Sequence, residues 1–574
     1  MTKIQPIKIR YGITKKVKGK YFDLALYHIK YVYSIEYPGI FNAPQPGGKN
    51  TQGKVNNIKI FKRLRAVYKL KFDPKSQWLS KSGYIHTVKS SLQCCEKFQY
   101  IGLNIIRDMK RLKEFEYNFP YRLSFDLNKI KDINYLKFTK DLQRLSVYID
   151  SFDNKNMYKK LFEILKKKKK LEVAKFTKIN ISLAKPHFDT LFKLQHVSIM
   201  NAIQIEHLIN LKSCRDELKK LAIFTAPKCL LLLENMDYYK NLKHLELNDF
   251  ILSSDFDEAK HFKSLRSLEA LAQLESLILE LNFTQKAQTN MFFRNLKLPV
   301  SVKRLDFTLL NIFFSSEDSE LLEKDIRDFF QKSDLKDLQN LKLALTICEN
   351  FTFINQFIKL LPMTLTSLEN VDFLFRTENE FDEAVNLDSF LIWTNNLKSV
   401  KEITFRTTNF VVKGRGDIES FDFPKLEYLR LSEEFGRKNS LQSQRDGGSK
   451  QIIECLHFLK NNTKRLFQTE LVLNLTDLID NFPEMIFGLL DNLPRNLKAL
   501  RLKIIHKKEE KLNLDQEVFS SEVQRRVQGL EELKVLELNM PVYFRFGLEN
   551  INKYQRVIIP GIWKEKPSGI IYYW

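Results

Sequence analysis

The chain has 574 residues, 44% of them hydrophobic, with 93 Lys+Arg against 69 Asp+Glu and a formal net charge of +24. That length and apolar content outgrow one compact core, so the chain must divide into domains or grow as a repeat. Its 16 prolines and 18 glycines are too few for a collagen-like or largely disordered polymer, and its six cysteines, with no CxxC spacing, exclude a disulfide framework and fit a reducing compartment.

Residues 1–105 read as a basic N-terminal cap or small appended domain. The lysines and arginines of the first hundred residues face only Asp23, Glu36, Asp73 and Glu96, the electrostatic footprint of contact with an anionic partner. Within it, Arg63, Arg65, Lys69 and Lys71 alternate with Leu64, Tyr68, Leu70 and Phe72. This pattern suits a nucleic-acid platform, and it suits equally a half-buried strand with a lysine-rich outer face. The N-terminus lacks a secretory apolar run and no stretch approaches the length needed to cross a bilayer. An intracellular protein is expected, cytoplasmic or nuclear.

From residue 106 to 545 one phrase recurs fourteen times, apolar-x-x-apolar-x-apolar, from Leu112 (LKEFEY) through Leu142, Leu242 (LKHLEL), Val302 and Leu426 to Leu497 (LKALRL) and Leu533 (LKVLEL). The fourth and sixth positions lie two apart, so both point to one side of an extended chain. A degenerate unit around Phe467–Leu475 is expected to fill the longest gap. Between phrases the spacing is helical: Glu317–Lys332 puts Leu321, Leu322, Ile326, Phe329 and Phe330 on one stripe, Thr377-Glu-Asn-Glu380 offers a capping box before Phe381, and Asp477–Leu490 and Gln516–Val527 follow suit. Strand then helix, repeated, predicts an α/β fold with a parallel sheet covered on one side by helices. The Lys166–Lys170 run should sit solvated at a helix end. Ala43–Lys54, Gly436–Lys450 and Gly414–Gly416 read as loops and turns, and residues 546–574 as a C-terminal cap.

With this phrase the sequence resembles the leucine-rich-repeat family, in its long-period, ribonuclease-inhibitor-like class. The resemblance implies a curved solenoid of about 14–15 units, strands on the concave side and helices outside. The family's ninth-position Asn or Cys is matched only by Asn282; other units carry Pro120, Asp150, Ala226, Phe250, Leu310, Thr346 or Pro541 there. The strand exits should therefore be irregular.

No phosphate-binding glycine loop, HExxH, GxSxG or kinase motif occurs, and His187, His196 and His207 do not assemble metal spacing. No enzyme activity, cofactor or metal is expected. Function should reside on the third, fifth and seventh phrase positions, which face away from the core. There Arg144, Lys175, Lys220, Arg304, Lys342, Arg406, Arg430, Arg501 and Lys503 are set against Glu114, Glu116, Glu246, Glu280, Asp306, Asp372, Glu402 and Glu537. Such a near-neutral face suits a protein ligand better than a phosphate backbone. The candidate contacts are Arg144, Tyr148, Lys175, Phe224, His244, Glu246, Arg304, Asp306, Arg406, Tyr428, Arg430 and Arg501. The expected function is a protein-binding scaffold. The alternatives are a nucleic-acid-associated protein acting through residues 1–100, and a repeat-bearing substrate receptor of a ubiquitin ligase.

Overall fold

The computed structural model describes residues 8–10, 31–37, 66–72 and 97–99, the strands, helices and turns given below between Leu112 and Asn539, and Arg556–Ile558. Arg63, Arg65, Cys348, His187, His207 and the loop segments 43–54, 414–416 and 436–450 lie outside the described residues. The chain forms two compact units, Met1–Ser253 and Ser254–Trp574.

In the first unit, strands β1 (Lys8–Arg10), β2 (Tyr31–Tyr37), β3 (Ala66–Phe72), β4 (Lys97–Gln99), β5 (Glu114–Tyr117), β6 (Arg144–Tyr148), β7 (Val173–Thr177), β8 (His196–Met200), β9 (Lys220–Phe224) and β10 (His244–Asp249) each pair in parallel with the next. The strands of segment 1–105 thus belong to the same ladder as the first clear repeat. In the second unit, β11 (Ser276–Asn282), β12 (Arg304–Ile312), β13 (Asn340–Ile347) and β14 (Asn370–Thr377) are followed by the two-residue β15 (Val385–Asn386), then by β16 (Glu402–Thr407), the two-residue β17 (Phe410–Val411), β18 (Tyr428–Glu433), β19 (Gln468–Asn474), β20 (Ala499–Ile505), β21 (Val535–Asn539) and β22 (Arg556–Ile558). These again pair in parallel in chain order, except that β15 and β17 pair with each other apart.

Parallel neighbours need a long crossover between them, and helices provide it. The described ones are α1 (Lys155–Lys166), α2 (Glu258–Lys263), α3 (Lys286–Asn295), α4 (Ser319–Lys332), α5 (Thr352–Leu360), α6 (Leu387–Asn395), α7 (Phe482–Asp491) and α8 (Gln516–Gln528). Strand and helix in alternation, one strand per phrase, give the α/β leucine-rich-repeat arrangement.

The phrase explains the core. In every copy whose three positions are all described, the first, fourth and sixth residues are shut from solvent, as with Leu242, Leu245 and Leu247 or Val400, Ile403 and Phe405. Each such side chain contributes roughly 1.5–3 kcal/mol relative to exposure. Helix residues meet them from one side: Phe292 of α3 lies edge-on to Phe307 of β12 with centroids 5.6 Å apart, Trp393 of α6 stacks on Phe373 of β14 at 5.6 Å, and Phe162 of α1 stacks on Phe176 of β7 at 5.7 Å.

Register is fixed before each strand begins. The N–H groups of phrase positions two and three both donate to the position-two carbonyl of the preceding unit: Lys243 and His244 to Lys219 (2.9 Å each), and Lys534 and Val535 to Lys498 (2.8 and 3.0 Å). Because side chains alternate strictly, this pins every outward row.

Several expectations change. Leu321 is 44% exposed while Leu322, Ile326, Phe329 and Phe330 are buried, since one residue of helix turns the side chain about 100° off the stripe. Thr377 ends β14, and the capping box expected over 377–380 lies, beyond Thr377, outside the described residues; the first described helix after it starts at Leu387, where Asn386 Oδ1 accepts from the N–H groups of Asp388 (2.9 Å) and Ser389 (3.3 Å). Lys168, expected in solvent, is buried. Its Nζ donates to the carbonyls of Thr139 (2.6 Å) and Lys137 (3.4 Å), just behind the 3-10 turn Asn134–Phe138, and burial draws its pKa down to about 8. One described strand exit is irregular. Asn282 at the ninth position accepts through Oδ1 from Asn311 Nδ2 at 2.7 Å, and Asn311 takes φ 56° where the β12 register shifts between Leu309 and Ile312.

Candidate interaction face

The register lines up the outward residues of each unit in rows that run across the strands. In the first unit the third phrase position carries Glu114, Arg144, Val173, His196, Lys220 and His244; the fifth carries Glu116, Ser146, Lys175, Ser198, Ala222 and Glu246; the seventh carries Tyr148, Thr177, Met200 and Phe224. Lys69 and Lys71 of β3 occupy the first two of these rows, next to Lys97 and Gln99. All six sequence-chosen contacts of this unit, Arg144, Tyr148, Lys175, Phe224, His244 and Glu246, therefore fall on one set of rows.

Arg144, Lys175 and His244 are exposed, Phe224 and Glu246 half-buried. The ion pairs here are loose: Arg144 to Glu114 and Lys220 to Glu246, both 3.9 Å. Between them, His196 has its pKa lowered, first by burial and then by the cations Lys220, His244, Arg144 and Lys219.

The second unit is wired differently. Its fifth-position row reads Ile278, Asp306, Lys342, Asp372, Thr404, Arg430, Glu470, Arg501, Glu537 and Ile558, charges of alternating sign on neighbouring strands about 4.8 Å apart. Asp306 Oδ2 lies 3.1 Å from Lys342 Nζ and 3.7 Å from Arg304. Arg406, in the seventh-position row, pairs with Asp372 at 2.8 Å.

Glu470 is the densest node. It lies 3.6 Å from Arg430 Nε and 3.5 Å from Arg501 Nη1, and accepts from the Tyr428 hydroxyl at 3.2 Å. Arg501 Nε reaches Glu537 at 3.3 Å. Burial, then the charge of Glu470, raises the Tyr428 pKa. In the third-position row Asn370 Nδ2 donates to Asn340 Oδ1 at 2.5 Å.

All the sequence-chosen residues of this unit, Arg304, Asp306, Arg406, Tyr428, Arg430 and Arg501, face outward. Asp306 is nonetheless buried, at 4% exposure, beneath the longer cations beside it. It braces the face instead of offering itself to solvent.

Glu470 escaped the sequence reading because its phrase is Leu466-x-x-Thr469-x-Leu471, with Thr469 in an apolar slot and fully buried. The degenerate unit is expected there, but only by admitting threonine, nearly valine in shape, at the fourth position does its register place Glu470 on the outward row. Lys168 was missed for another reason: a run of five lysines carries no sign of which one turns inward.

Among the described residues no group of three or more His, Cys, Asp or Glu could hold a metal ion, and no helix is long and apolar enough to cross a membrane. No protein-family model matches the sequence, and no curated protein matches it. Among solved structures the chain is similar to a leucine-rich-repeat protein of Leptospira interrogans (13% identity over 92% of this chain and 100% of that one, TM-score 0.29). It is also similar to the complex of Rad7 and Elc1 in yeast (13% identity, 74% and 80%, TM-score 0.34) and to the TLR13–ssRNA13 complex (14% identity, 84% and 79%, TM-score 0.33). Scores this low leave the fold to rest on the strand register itself.

Proposed function

We propose that the chain is a non-catalytic scaffold that holds a protein partner against the open faces of its two parallel ladders. One observation carries the reading: the inward phrase positions repeat almost unchanged, while the outward rows differ from unit to unit on a backbone whose register is fixed. Such rows can be tailored to a ligand without disturbing the core. Charge supports a protein over a polyanion, because Lys342, Arg406, Arg430 and Arg501 of the second unit's face lie against carboxylates on neighbouring strands, and a phosphate backbone needs unspent positive charge. Tyr428, Phe224 and the arginines are of the types that anchor protein interfaces.

The test is affinity purification of the tagged full chain from its own cells after nuclease treatment, comparing wild type with Tyr428→Ala and Phe224→Ala. A protein held by wild type and lost with at least one variant is expected. Recovery of nucleic acid alone, or of proteins indifferent to both substitutions, contradicts the proposal. The register of Lys69 and Lys71 beside Lys97 favours, as a second reading, nucleic-acid contact through the first strands. That reading requires binding that falls steeply with salt and vanishes when Lys69 and Lys71 become Ala.

A further inference from the structure

Over β8, β9 and β10 the open face has the cross-section of a trough. Its middle row is Ser198, the buried Ala222 and, on β10, the longer Glu246, so the trough is shallow and the outer rows close over Ala222. One wall is the row His196, Lys220 and His244, and the other is Met200 and Phe224, both half-buried. Rows two residues apart along a strand are separated by about 6.6 Å, so the walls stand about 13 Å apart. That spacing is between backbones and the wall side chains narrow it, so the strip suits one extended segment laid across the strands and not a helix.

We propose that this trough binds a single segment of a partner protein, acidic along one edge and apolar along the other. It rests on the scaffold reading and gives the partner its chemistry. Carboxylates would lie along the His196–Lys220–His244 wall, where Lys220 is held only at 3.9 Å by Glu246 and has charge to share. Apolar side chains would cover Met200 and Phe224, removing water from both. A phosphate backbone suits the trough less well. Glu246 stands in the floor row and Glu114 in the cationic row, and both would repel a continuous run of phosphates.

The experiment is selection of a phage-displayed random 16-residue peptide library on the full-length protein. The best binder, made synthetically with fluorescein, is then titrated by anisotropy. Enriched peptides should combine Asp or Glu with large apolar residues. Lys220→Glu and Phe224→Ala should each weaken the synthetic peptide at least tenfold with unchanged circular dichroism and thermal midpoint, and Lys332→Ala, on the exposed side of helix α4 in the second unit, should leave it unchanged. Ser198→Tyr, which fills the floor and leaves both walls intact, should abolish binding and serves if a wall variant misfolds. Enrichment without acidic residues, indifference to the trough variants, or a fluorescein-labelled 20-mer of uridine that binds more tightly than the peptide and is lost in Lys220→Glu would overturn the assignment. A cellular partner captured through the second unit and blind to all three trough variants would overturn it while leaving the scaffold reading intact.

Discussion

Removing Glu470 should unbalance the open face of the second unit more than removing any single cation there. Its side chain is 17% exposed, between Arg430 at 31% and Arg501 at 36%, so Glu470→Ala leaves two partly desolvated guanidinium groups on strands either side of an empty position and takes the acceptor from the Tyr428 hydroxyl. Exposed ion pairs are worth about 0.2–1 kcal/mol, and breaking a fully buried pair costs about 3–5 kcal/mol. The 3.5–3.6 Å separations and partial burial place this node between those limits, at about 2 kcal/mol. Urea unfolding of wild type, Glu470→Ala, Arg430→Ala and the double variant measures it, with a coupling of about 1 kcal/mol expected between the two sites. Ultraviolet titration, read as a difference against Tyr428→Phe, should show the Tyr428 pKa moving down in Glu470→Gln, part of the way only, because burial is the larger cause and remains. A loss below about 0.5 kcal/mol with no movement of Tyr428 would refute the node.

Three further outcomes follow from the packing. Thr469→Val, which removes a buried hydroxyl without a hydrogen-bond partner among the described residues while keeping the shape, should raise the unfolding free energy by about 1 kcal/mol, read from the urea midpoint; a destabilised variant would mean the hydroxyl is satisfied. Asn386→Ala should cost about 1 kcal/mol by uncapping α6, and a neutral result in the same assay would count against the cap. Lys168, with a pKa of about 8 in the fold and about 10.4 in the unfolded chain, loses its proton earlier in the folded state. Wild type should therefore gain stability over Lys168→Met as pH rises from about 8 to 10.4; a difference that stays flat across that window would show the ammonium to be solvated.

Most of the fold was legible because one phrase encodes both strand and core. Leu245 and Leu247, two residues apart, point to one side of an extended chain while the residues between them point to the other, and fourteen recurrences favour parallel stacking as the arrangement that buries them all. What stayed hidden was whatever depends on a neighbouring unit. Nothing local marks Lys168 as the lysine that reaches back to the Thr139 carbonyl, or Asp306 as the acid covered by Arg304 and Lys342. The cap at Asn386 was not singled out, because Asn is common along this chain and its side chain becomes a cap only where the backbone leaves extended geometry. Among the candidate contacts, outward direction followed from parity alone. Their mutual pairing did not, since it depends on register between strands some thirty residues apart.

The register of the open face can be measured directly with paired cysteines. Asn340 and Asn370 lie opposite each other on β13 and β14, within the roughly 4.4–6.8 Å Cα separation a disulfide spans. The double variant Asn340→Cys, Asn370→Cys should cross-link under mild oxidation, with the joined peptide found by mass mapping. Asn340→Cys with Val371→Cys, one residue out of step and facing the core, should not. Cross-linking in the second pair and not the first would mean the rows do not exist as described, and the faces assigned to every outward residue would be wrong with them.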